Sequence, residues 1–313
     1  MVGYIGSHGV HQPFRADDVN VVQPIGQTSL GYVWPTPRGS GTRLNPSLGP
    51  ISALYYISSS IYHSLQTRVS KRMGHGFQVG GSYTWSKSID DDSSTILGNA
   101  FATSIGSLPF FDLRLDRSLS DFDARHVASI NYVWQLPRPE EKSGLFGWIT
   151  SGWEMNGLLQ ASSGLPFSPT VAGDPLGLNG FQATFAFPDR IFGGGCDTAT
   201  NPHNVHYIKT SCFAFPSPAT RLGTARRNSL IGPGLMNLDF GVFKNSRIRR
   251  ISENFNAQFR VEFFNVLNHA NFAPPSNTQI FAQGGGAPLS SAGLITSTAT
   301  PSRQLQFALK LLW

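Results

Sequence analysis

A chain of 313 residues is long enough for one large domain or two ordinary ones, and with only 13% charged residues it is unlike a charged cytosolic enzyme. Mean hydropathy is −0.13, and no stretch approaches the ~20 consecutive apolar residues of a membrane-spanning helix; the membrane route left open is a barrel, whose alternating strands cancel in hydropathy averages. The net charge of +6 is not gathered into any Lys/Arg run, so no nucleic-acid partner is expected, and scattered basic groups in a lumen or at a lipopolysaccharide-facing rim are the simpler reading.

The start, MVGYIGSHGVHQPF, lacks a basic n-region, an apolar h-region and a small-residue cleavage site, so it is not read as a signal peptide. VGYIGSHG suggests instead the tail of a strand. Period-two segments then follow along the chain. Segment 61–73 is weak, with Leu65 and Val69 against Gln66, Arg68 and Ser70. In 77–86, Phe77, Val79, Gly81, Tyr83 and Trp85 alternate with Gln78, Gly80, Ser82, Thr84 and Ser86. In 127–136, Ala128, Ile130, Tyr132, Trp134 and Leu136 take one side, and in 153–162 Trp153, Met155, Gly157, Leu159 and Ala161 do so. Segment 237–244 is weak again. Segment 255–263 sets Phe255, Ala257, Phe259, Val261 and Phe263 against Asn256, Gln258, Arg260 and Glu262. The last eleven residues place Leu305, Phe307, Leu309, Leu311 and Trp313 opposite Gln304, Gln306, Ala308 and Lys310, with Leu312 the one apolar intruder. An alternating strand that ends on an aromatic suits the closing strand of an outer-membrane barrel, oily residues toward lipid and polar ones toward the lumen.

The connections point the same way. With the last residue placed in the periplasm, the periplasmic joints are 246–254, 137–151 and the tight turn at Gly74 and His75. The outer joints are 268–302, 164–235, 87–125 and 13–60. Short and long alternate, as brief periplasmic turns and long outer loops would. The same orientation puts Phe77, Trp134, Trp153, Phe255 and Trp313 at one interface and Tyr83, Trp85 and Phe263 at the other, two aromatic girdles at headgroup level. The expected fold is therefore all-β, an antiparallel transmembrane barrel of about eight strands. Its surroundings are outer-membrane lipid and lipopolysaccharide in a Gram-negative bacterium.

Six stretches carry a family resemblance: 62–91, LDRSLSDFDARH (115–126), GWEMNGLLQASSGLPFS (152–168), RRNSLIGPGLMNLDFGVFKN (226–245), QFRVEFFNVLNHANF (258–272) and the terminal SRQLQFALKLLW. Together they resemble the C-terminal part of the barrel of Oar-like TonB-dependent outer-membrane receptors, which carry a carboxypeptidase-regulatory-like domain. The resemblance runs through nearly the whole chain and is weakest in 13–60 and 170–220. It implies inward movement of a substrate, driven through TonB. Set against the family, the signal peptide, TonB box, plug and first half of the barrel lie outside this sequence. Residues 1–313 are thus expected to be a partial barrel, where transporters of this type use about 22 strands. TonB and the plug would be partners only in a full-length receptor.

Several residues are candidates for more than wall-building. Cys196 and Cys212, in the longest outer loop, suit a disulfide worth ~3 kcal/mol by loop-closure entropy; metal is the alternative, since His203 and His206 lie between them, but C-x6-H-x2-H-x5-C is not a standard zinc spacing. Asp90, Asp91 and Asp92 fit no EF-hand loop, and a solvated acidic loop start is expected there. Asp121, Asp123, Arg125 and His126 suit structural pairing where a loop enters a strand. The inward positions Arg68, Arg72, Glu154, Asp239, Arg260, Glu262 and Lys310 are expected to line the lumen, because each Arg or Lys on the lipid face would cost ~2–4 kcal/mol near midplane. Gly193–Gly195 and Gly284–Gly286 lack the following Lys-Ser/Thr of a phosphate cradle.

No G-x-S-x-G elbow is present, and neither catalysis, cofactor nor resident metal is expected. An unidentified ligand would meet the outer loops 87–125 and 164–235, where Phe110, Phe111, Phe181, Phe185 and Phe187 either contact it or pack the loops. Two other readings remain open: an independent small barrel acting as a pore or enzyme, and a secreted soluble β-sandwich with an adhesive role.

Overall fold

The computed structural model describes residues 1–93, 111–137, 144–179, 186–217, 220–248 and 250–313. Eight long strands form one antiparallel sheet in strict chain order. They are β1 (Val2–Ala16), β2 (Ala53–Gly74), β3 (Phe77–Asp90), β4 (His126–Gln135), β5 (Trp153–Ser162), β6 (Leu235–Arg247), β7 (Asn256–Phe264) and β8 (Gln304–Leu312). A two-residue strand, Ser118–Leu119, pairs beside β3. The eight strands do not divide into two facing sheets, so the β-sandwich reading fails. Among the described residues β1 pairs only with β2 and β8 only with β7, which leaves the sheet open at both edges.

Register carries the side-chain alternation unbroken across the sheet. On one face, Val69 sits opposite Gly81, Gly81 opposite Ile130, Ile130 opposite Leu159, and Leu159 opposite Leu238. Phe240 then faces Phe263, which faces Leu305. The opposite face carries a polar row from Arg68 through Ser82, Ser129 and Gln160 to Asn237. A slip of one residue anywhere would exchange the faces of every strand beyond it.

Backbone chemistry sets the short-turn end. β2 and β3 are joined by His75-Gly76, both with positive φ (50° and 77°), the conformation that lets a two-residue hairpin match strand twist. The tight turn thus falls one residue later than the sequence suggests. At Gly76 a Cβ would lie 2.4 Å from the Gln135 carbonyl oxygen, and at Gly152 (φ 77°) 2.3 Å from that of Asn245. Each glycine lets its turn close onto the neighbouring strand, where its own carbonyl accepts a hydrogen bond from Gln135 N–H (2.7 Å) or Asn245 N–H (2.8 Å). The β4–β5 connection also holds a one-helix element, α1 (Gly144–Thr150), where the sequence reading has only a turn.

At the other end the long connections 17–52, 163–234 and 265–303 fold together into a cap. Its dry core contains Val21, Val22, Trp34, Val171, Leu176, Leu178, Ile208, Phe213 and Ile280. Short ladders knit it: Pro166–Phe167 with Leu230–Ile231, Asp189–Arg190 with Phe213–Ala214, and Thr170–Val171 with Gln279–Phe281. Trp34 donates its indole N–H to the Val22 carbonyl at 3.0 Å, so its polar atom is satisfied inside the core.

Candidate functional site: a two-faced wall and its cap

The apolar face of the sheet is not a core. Phe307 and Leu309 are 65% and 67% exposed, and Leu65, Val69, Ile130, Phe259 and Leu305 are exposed with them. Large apolar side chains continuous over eight strands far exceed the few hundred Å² that a water-soluble monomer tolerates on its surface. The face is built for a solvent of hydrocarbon.

Aromatic side chains gather at both margins of this face. At the short-turn end Phe77 and Trp134 face each other across β3 and β4, Lys71 Nζ lies 5.3 Å from the Phe77 ring centre, and Trp153 and Trp313 stand on β5 and just beyond β8. At the cap end lie Tyr83, Trp85 and Phe263; the Tyr83 hydroxyl shares a 2.8 Å hydrogen bond with His126 Nδ1. His63 makes the equivalent 2.6 Å bond with Tyr4. Phe255 departs from the expectation. It precedes β7 in the turn, is only 6% exposed, and packs edge-on beneath Trp313 with ring centres 5.6 Å apart. The turn bends Phe255 under the terminal aromatic, so Trp313 rather than Phe255 presents a ring outward at that corner.

Across the polar face, Asp239 Oδ1 accepts from Asn237 Nδ2 (2.8 Å) and from the Asn265 N–H (2.9 Å). Arg260 donates to Gln258 Oε1 at 2.7 Å and lies over the Phe243 ring, 4.8 Å from its centre. Glu154 shares a row with Phe243 and Arg260, Glu262 lies opposite Gly241 and Gln306, and Lys310 lies opposite Gln258. Arg68 belongs to the row described above; Arg72 stands in the irregular stretch between Lys71 and Gly74, outside the paired ladder. Among the described residues none of these seven is ion-paired, so the wall offers its charges to water or to whatever fills the space beside it.

The join between wall and cap is ionic, and its carboxylates are buried. Asp90, at the end of β3, pairs with Arg227, whose Nε also donates to the Asp116 carbonyl at 3.0 Å. Asn228 donates to Asp121 Oδ1 at 2.6 Å and to the Leu119 carbonyl at 2.7 Å. Asp91 pairs with Arg117 at 3.1 Å, and Asp123 accepts from the Ser88 N–H at 2.6 Å and pairs with Arg125 at 3.4 Å. The expectation of a solvated acidic loop start is thus corrected: Asp90 and Asp91 are buried, neutralised by arginines brought from distant segments.

Cys196 and Cys212 are joined in a disulfide with a Cα–Cα distance of 5.4 Å. No group of three or more His, Cys, Asp or Glu able to hold a metal occurs among the described residues. A cleft of about 290 Å³ opens between Gln27–Tyr32 and Leu222–Arg226, with Leu115 and Phe187 in its floor. Phe187 is buried there, and Phe111 is exposed, edge-on to Tyr32 at 5.5 Å. The Tyr32 hydroxyl donates to Asp112, whose carboxyl the Arg114 hydrogen bonds hold below the usual carboxylate range against the opposing effect of burial. Phe110, Phe181 and Phe185 lie outside the described residues.

Sequence reasoning missed three features: the Arg227 and Asn228 anchor, the cap core and α1. Only α1 left a readable trace, the exposed apolar run around Phe146, Trp148 and Ile149.

No curated protein and no solved structure matches the chain. The family model described as an outer membrane beta barrel domain matches residues 1–306. An exposed apolar face, a polar opposite face and loops sorted by length between the two ends are what a membrane-spanning barrel requires, and the localisation that follows is the outer membrane. The chain belongs to the outer membrane β-barrel domain family.

Proposed function

We propose that the chain is the C-terminal wall and cap of a TonB-dependent receptor of the Oar-like kind, a non-enzymatic uptake protein for a large or scarce substrate. The observation that carries this reading is the open sheet. In hydrocarbon an unpaired backbone N–H or C=O costs several kcal/mol, so the free edges of β1 and β8 demand strand partners. Further strands of a wide barrel satisfy both edges. The six stretches quoted above support the same ancestry, and a polar wall whose seven charged side chains make no ion pair among the described residues suits a lumen that holds a plug or a hydrated substrate path. In this reading the cap cleft beside Tyr32 and Arg226 is where ligand first meets the receptor, on loops held by a rigid core.

A second reading is favoured by one observation, the presence of eight strands, which is enough to close a narrow barrel if β1 pairs with β8. Native outer membranes probed with an antibody to the 196–212 loop separate the two. The receptor reading expects a polypeptide well above 34.0 kDa that co-purifies with the periplasmic part of TonB. A 34 kDa species that forms an intrachain disulfide between cysteines placed at Tyr4 and Phe307, with no TonB bound, contradicts it and establishes the small barrel.

A further inference from the structure

Helix α1 places three large apolar side chains in the open: Phe146 (56% exposed), Trp148 (54%) and Ile149 (47%). Its place on the wall is fixed by Lys244 of β6. Register puts Lys244 opposite Trp153 on the apolar face, where a bare ammonium near the boundary of hydrocarbon is unfavourable. The α1 connection folds over it. Lys244 Nζ donates to the carbonyls of Trp148 and Ser151, the oxygens left open where the helix ends, and lies 5.4 Å and 5.5 Å from the ring centres of Trp148 and Trp153. Trp153 donates its indole N–H to the Ile149 carbonyl at 2.7 Å, a second tie between helix and wall. The helix end is therefore tied to the outward side of the sheet at the short-turn end, the margin that also carries Phe77, Trp134 and Trp313.

We propose that α1 is an interfacial anchor, lying at the headgroup boundary of the leaflet at the short-turn end and inserting Phe146, Trp148 and Ile149 among phospholipid chains. Lipid is the occupant because the exposed rings extend a face already solvated by hydrocarbon, and because the helix end clasps the Lys244 ammonium that would otherwise hold that part of the wall in water. A short apolar helix in this position gains by burying its rings at headgroup depth while the carbonyls at its C-terminal end stay bonded to the wall.

The test uses the full chain reconstituted into phosphatidylcholine vesicles, with nitroxide attached to Phe146→Cys or Ile149→Cys. The native cysteines are bridged, so each label site is unique. Collision with oxygen should exceed collision with a water-soluble nickel chelate severalfold at both sites, giving a depth between those of Glu253→Cys in a turn and Leu309→Cys on β8. Nickel accessibility equal to that at Glu253 overturns the proposal, and so does low collision with both reagents, the mark of a site covered by protein. Independently of those variants, brominated phosphatidylcholine should quench a component of the unaltered protein's tryptophan fluorescence that Trp148→Phe removes; unchanged quenching in Trp148→Phe also overturns it.

Discussion

The wall and the cap are one chain folded for two solvents. On the wall, side chains at the centre of β8 are exposed on both faces and stability resides in ladders of backbone hydrogen bonds; in the cap, Trp34, Leu176, Leu178 and Ile280 are fully buried around a disulfide-braced core. The cap spends apolar residues as a water-soluble domain does, inward, while the wall turns them outward and relies on the bilayer to cover them. The same residue type therefore has opposite consequences in the two regions, and substitutions should separate them.

The largest separation is expected at the join. Arg227→Ala leaves the Asp90 carboxylate buried beside Asp121 without its guanidinium, a loss of about 3–5 kcal/mol for a broken buried pair. Limited proteolysis should then cut the cap while the wall stays protease-resistant and heat-modifiable on gels. Simultaneous loss of the wall would show that the two regions are not separable.

Phe307→Arg tests the other side. Near the middle of β8 it should cost about 2–4 kcal/mol of folding stability in bilayers, read by reversible denaturant titration, with the cap core unaffected. Gln306→Arg, one residue away on the polar face, should be nearly neutral. Equal costs at the two positions would erase the distinction between the faces.

These contrasts also explain what the sequence discloses. Strands β3, β4, β5, β7 and β8 are readable because each alternates apolar with polar residues under a single rule. β2 is weak because His63, Thr67 and Lys71 occupy outward positions at its ends and middle, and β6 is weak because Lys244 and Ser246 do so. Placing Lys244 required seeing the helix that covers it. The cap has no such rule. Its core joins Val22 to Leu178 and Trp34 to segments far along the chain, and Asp90 meets an arginine 137 residues away, so composition alone made the three aspartates look solvated. The cleft beside Tyr32 is invisible for the same reason, since Tyr32 and Arg226 line it from two connections far apart in the chain. Alternation is local; a folded cap is not.

A smaller effect is expected at Cys196–Cys212. Cys196→Ser together with Cys212→Ser should lower cap stability by up to about 3 kcal/mol, the entropy of a 16-residue closure, and reductant should reproduce the change in the unaltered protein. Proteolytic sensitivity should rise between Ile191 and Phe213 and nowhere on the wall.

The smallest is a pH effect at Asp112. Its carboxyl is depressed by Arg114, so the folded cap holds that proton less tightly than the unfolded chain does. The contribution is fully present above the ordinary carboxylate range near pH 4 and is lost as pH falls through the depressed value. Arg114 is largely exposed, so screening keeps the gain small, and Asp112→Asn should flatten this part of the acid limb of cap unfolding without moving that of the wall.

The most direct measurement is a cysteine scan of β8 in reconstituted vesicles, from Gln304 to Leu312, with each variant offered a water-soluble maleimide and, separately, a lipid-dissolved quencher of an attached fluorophore. The expected result is a period of two: Leu305, Phe307, Leu309 and Leu311 quenched from the lipid and poorly reactive from water, with Gln304, Gln306 and Lys310 the reverse. Uniform reactivity along the strand, or the opposite phase, would contradict a wall whose apolar face is solvated by hydrocarbon.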